Sequence, residues 1–132
     1  MPRFYDIDAA NERLAELRPL LERLRSDRDE LAQVQREFRG ALATDGAPDS
    51  DLPLREHERR VRDIVGRMEA AVVQIDAWGV TLRDIPTGLV DFPALVSGRQ
   101  VWLCWRLGEA EIGWWHELSA GIAGRRQLRD LE

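Results

Sequence analysis

The chain has no lysine: all 19 of its basic residues are Arg. That excludes a Walker-type phosphate loop, whose Lys must reach the phosphates, and Schiff-base chemistry on a lysine amine. Cysteine occurs once, as Cys104. No intrachain disulfide can staple the fold, and no clustered zinc motif is present. Apolar runs fall far short of the ~20 residues of a membrane span. The opening Met1-Pro2-Arg3-Phe4-Tyr5-Asp6 has no apolar stretch of the secretory kind. These absences lead us to expect a cytoplasmic protein with no membrane partner. Asp and Glu number 24, for a formal net charge of -5. An acidic balance argues against nucleic acid, because phosphate contact needs a basic patch. GxSxG, HExxH, paired ExxH and dinucleotide fingerprints are all missing, so no cofactor is implied.

What is present is Arg and Trp. Arg is always charged and grips carboxylates and phosphates with two parallel hydrogen bonds. Of the five Trp, four lie between positions 102 and 115. The 132 residues suit one domain, 1–132, with a modest core.

The chain divides by period. Residues 8–42 read as a helix, with Ala10, Leu14, Leu17, Leu21, Leu24, Leu31, Phe38 and Leu42 at steps of three and four. Asp8 is the expected N-cap. Pro19 removes a backbone donor and crowds the Ala15 carbonyl, which predicts a kink or break. After a loop at 43–51, a second helix is expected over 52–78, capped by Ser50 or Asp51 and closed by Gly79. The 8–78 segment is thus a helical hairpin. Such a hairpin shields its coiled-coil-like seam poorly, so a homodimer through it is expected.

From Gly79 the period becomes two. Strands are expected at 80–84, at 89–92 (stopped by Pro93), at 99–107 and at 110–117. The architecture is α+β: a long antiparallel helical hairpin followed, over 79–118, by a small antiparallel sheet of three to four strands, with an irregular tail at 119–132. A two-residue turn at Gly108-Glu109 would pair Trp102 with Trp115 and Val101 with His116. Val101, Leu103, Trp105, Ile112, Trp114 and His116 then share the core face. Trp102, Cys104, Arg106, Glu111, Trp115 and Glu117 share the other. Cys104 and His116 point apart, which argues against a shared metal.

The motif Trp78-Gly-Val-Thr-Leu-Arg-Asp-Ile-Pro-Thr-Gly-Leu-Val-Asp-Phe-Pro93, followed by Gly98-Arg99, Leu103-Cys-Trp-Arg-Leu-Gly-Glu109, Trp115-His116 and Gly124-Arg125, resembles the bacterial family of domain of unknown function 2203. The opening Phe4-Tyr-Asp-Ile-Asp-Ala-Ala-Asn11 resembles it too. The chain departs in having Arg126-Gln127 where the resemblance implies Pro. The resemblance implies no activity.

Two readings follow. In the first, the protein is a non-enzymatic interaction or ligand-binding module, with Trp102 and Trp115 as an exposed surface for a protein partner. In the second, it is a small enzyme for an anionic small molecule. His116 with Asp91 (or Glu117) then handles a proton, and Arg83, Asp84, Arg99 and Arg125 form the polar site. A lone His at a core edge is more often structural, and Cys104 reads as a small apolar filler. A concave pocket joining His116, an Arg and an Asp favours the second family of readings; a flat Trp102–Trp115 surface favours the first.

Overall fold

The computed structural model describes residues 4–130; residues 1–3 and the last two of the expected tail lie outside the described set. Helix α1 spans Ile7–Asp45 and α2 spans Leu52–Ala77. The strands are β1 (Thr81–Asp84), β2 (Leu89–Val96), β3 (Arg99–Arg106), β4 (Trp114–His116) and β5 (Arg126–Gln127). They form one antiparallel meander in the order β1-β2-β3-β4-β5, five strands where three to four were expected. The tail is not irregular throughout: it holds two short 3-10 turns and β5.

The N-cap of α1 is Asp6 rather than Asp8. Its carboxylate accepts the Ala9 amide at 2.7 Å, and Asp8 sits in the first turn, where its charge suits the helix dipole. No break occurs at Pro19. Pro19 and Ala15 both lie on the exposed side of α1, so the carbonyl orphaned by the missing N–H faces solvent and the helix continues. At ~1.5 Å per residue α1 is about 58 Å long. Its buried residues are Ala10, Leu14, Leu17, Leu21 and Leu24, plus Val34 alone beyond them. The first half of α1 therefore joins the sheet in one core, and the second half runs along α2. There Phe38 stacks on His57 at 4.1 Å and Arg67 reaches Asp27 and Glu30.

Pro93 does not stop β2. In an antiparallel strand the N–H and C=O of one residue point to the same side. The Pro93 carbonyl accepts the Tyr5 amide at 2.7 Å, on the side away from β3. The missing Pro93 donor therefore costs no bond to β3, and the strand runs on to Val96. Ser97 and Gly98, both at positive φ, close a two-residue hairpin that sets the β2–β3 register.

One sheet face packs on the helices. Val90, Phe92, Ala94, Val101, Leu103, Trp105 and Trp115 join the helical leucines there in one core. Of the expected core face, Val101, Leu103, Trp105 and Ile112 join that core. The opposite face carries Asp91, Cys104, Trp102 and His116, and the chain after β4 crosses part of it.

Candidate functional site

The site depends on a register that differs from the expected one. The two-residue loop at Gly108-Glu109 is not formed. The turn falls one residue earlier, with the Glu109 amide donating to the Arg106 carbonyl, and residues 109–113 leave the sheet. Their polar groups are taken up elsewhere. Trp105 Nε1 donates to the Glu109 carbonyl, Arg18 donates to the Ala110 carbonyl, and the Ile112 amide donates to Asn11 Oδ1 at 2.7 Å. The Gly113 carbonyl accepts the Leu128 amide. With its backbone satisfied by α1 and the tail, this segment has no need of β3.

β4 consequently pairs Trp102 with His116, Leu103 with Trp115 and Cys104 with Trp114. A slip of one residue turns every side chain over. Trp115 becomes core at 2 % exposure, so the expected Trp102–Trp115 surface does not exist, and Trp114 moves to the outer face. His116 likewise leaves the helix-facing core, and Cys104 and His116 share a face after all.

On that face β2 places Asp91 opposite Cys104. Asp91 and His116 are buried. His116 Nε2 lies 3.0 Å from both Asp91 oxygens, and its Nδ1 lies 2.8 Å from the Glu117 carbonyl. Both ring nitrogens thus face acceptors. Arg83 Nε donates to Asp91 Oδ2 at 2.8 Å, and its guanidinium lies 5.1 Å from the centre of the Trp102 ring. The Arg83 terminal nitrogens have no hydrogen-bond partner among the described residues. The Cys104 thiol is pushed up to about 12, first by burial and then by the Asp91 charge, so it stays a thiol.

These side chains line a pocket of about 260 Å³, walled by Leu89 and by Leu118, Ser119, Ala120, Gly121 and Ile122. Of the residues singled out from the sequence, Arg83, Asp91 and His116 converge here. Asp84 does not: its carboxylate accepts the Thr87 amide and hydroxyl and caps the β1–β2 turn, which holds its carboxyl below the ordinary value. Arg99 sits outside, paired with Glu117 at 3.0 Å. Arg125 is spent on both Glu109 oxygens, at 3.0 and 2.9 Å, and on the Trp114 ring. Cys104 and the 118–122 wall were not foreseen as site members. The signal for Cys104 was available, because carrying β2 through Pro93 to the Ser97-Gly98 turn sets it opposite Asp91.

No helix among the described residues is long and apolar enough to cross a membrane. The family model described as an uncharacterized conserved protein, DUF2203, matches residues 3–128, and the chain belongs to that family. No curated protein and no solved structure matches it.

Proposed function

We propose that this member of the DUF2203 family is a ligand-binding protein whose outer-face pocket takes a small anionic molecule, a carboxylate or phosphate, through Arg83. The observation that carries this reading is the convergence of Arg83, Asp91 and His116 on one concave site. Asp91 holds the guanidinium by Nε and Trp102 lies against it, so the two terminal nitrogens of this pocket-lining Arg83 remain available to an anion. The volume is below the roughly 300–1,000 Å³ of common ligand sites, which favours a molecule of few atoms. Both His116 nitrogens are engaged by protein groups, so His116 supports Asp91 and Arg83 rather than meeting the ligand. That favours binding over acid–base catalysis. A free buried thiol suits a reducing compartment such as the cytoplasm.

The test is a thermal-shift screen with inorganic phosphate and small mono- and dicarboxylates. Wild-type protein gains stability with at least one of them, and Arg83→Met does not. A flat response from wild-type protein contradicts the reading.

A second reading concerns the hairpin. Leu31, Val65, Met68, Val72 and Val73 line an apolar hollow on it, with Val73 67 % exposed. We propose that two copies associate through this face. Sedimentation at micromolar concentration then gives a dimer mass that Val73→Glu reduces to that of a monomer. A monomer mass for wild-type protein ends this proposal.

A further inference from the structure

We infer that Asp91, Cys104 and His116 form a binding site for a single transition-metal ion of the Zn²⁺ class, with one coordination position left open to the pocket. One ligand atom from each residue lies within 4.8 Å of the other two, and all three side chains are buried. A tetrahedral zinc with bonds of about 2.0–2.3 Å separates its ligands by about 3.3–3.7 Å. The donor separations thus have to change by no more than about 1.5 Å. The mixture of imidazole, thiolate and carboxylate suits Zn²⁺ or Co²⁺ rather than the oxygen-seeking Mg²⁺ or Ca²⁺.

The outer shell is already in place, and this is an independent observation. His116 Nδ1 lies 2.8 Å from the Glu117 carbonyl, which can accept its N–H and so leave Nε2 as the ligating nitrogen. Arg83 holds Asp91 by Oδ2 alone, leaving Oδ1 for the ion. The same carboxylate that faces Nε2 at 3.0 Å on both oxygens is the one that would swing onto the metal.

A coordinated thiol is deprotonated by the ion itself, so the buried Cys104 would supply a thiolate once the ion is in place. Three protein ligands and an open fourth place are the pattern of zinc sites that bind a water or a ligand. The pocket lies against all three side chains and is where that fourth group belongs.

This inference shares its pocket with the anion proposal but rests on the three ligands. Metal binding without anion binding, or the reverse, is therefore a separate result. The test is titration of the full metal-free chain with Co²⁺ alone, followed by absorption. One ion per chain is expected, with visible d–d bands of four-coordinate intensity and a near-ultraviolet thiolate-to-cobalt charge-transfer band, both abolished by added Zn²⁺. Cys104 is the only thiol in the chain, so that band locates the ion without any variant. Asp91→Asn and His116→Gln weaken Co²⁺ binding at least tenfold, and His57→Gln on the hairpin leaves it unchanged. Absence of the thiolate band from wild-type protein overturns the inference. So does unchanged affinity in Asp91→Asn, an isosteric variant that serves if His116→Gln does not fold.

Discussion

Asp91 is buried in β2, between the apolar residues Val90 and Phe92. A carboxylate amid apolar strand residues is costly to bury unless it is paired, and here it has Arg83 and His116. The sequence marks Arg83, Asp91 and His116 as unusual, and the structure brings all three together. It also marks Asp84, Arg99 and Arg125, which are equally charged but serve a turn, a surface pair and a loop. Charge alone does not separate the two sets; burial and register do. For Asp84 the consequence is a pH dependence. Its carboxyl sits below 3.8 in the folded chain because the Thr87 hydroxyl and amide donate to the ionised form. Stability from this cap is present above that ordinary value and is lost as pH falls through the lower folded one. Acid unfolding followed by circular dichroism should therefore show a steeper loss below pH 4 in wild-type protein than in Asp84→Asn. Equal slopes would contradict the assignment.

At the scale of elements, helices and most strands are legible because their determinants are local. The three-four spacing from Ala10 to Leu24 gives the buried stripe of α1. The alternation Val101, Leu103, Trp105 gives the core face of β3. What fails is β4, whose register is set by Asn11, 101 residues before its partner Ile112. A two-residue turn is the economical local guess, and long-range hydrogen bonds to 109–113 override it. Removing one such bond tests this account. Asn11→Ala leaves the buried Ile112 amide unpaired and should cost about 1–3 kcal/mol in urea unfolding. A change under about 0.5 kcal/mol would show that Asn11 does not anchor the loop. The helices offer a prediction of opposite sign. Pro19 lies inside α1, and Gly66 lies in α2 with nothing within 4 Å of an added Cβ. Gly66→Ala should stabilise by up to about 1 kcal/mol and Pro19→Ala by up to about 3, read from the same urea midpoints. Losses in both would mean that these positions serve something other than the helix.

For the whole molecule, the hairpin and sheet divide the work. α1 and α2 cover one sheet face and supply the core, and the hairpin also carries exposed apolar positions, Val72 and Val73 among them. The other face, relieved of packing, carries the polar cluster under the 118–122 segment. The overall class, hairpin then sheet, was readable from the change of period at Gly79. The site was not, because it is assembled from β1, β2, β3, β4 and the segment after β4, and a one-residue slip in β4 decides its membership. Two of its four polar members, Cys104 and His116, change their relation with that slip.

The central claim is that Arg83, fixed by Asp91 and Trp102, holds an anion in this pocket. The most direct measurement is calorimetric titration of the best stabilising anion into wild-type protein, Arg83→Met and Arg99→Met at constant ionic strength. The account predicts saturable binding of one anion per chain in wild-type protein and in Arg99→Met, and at least a tenfold loss of affinity in Arg83→Met. Binding that survives Arg83→Met, or that disappears equally in Arg99→Met, would contradict it.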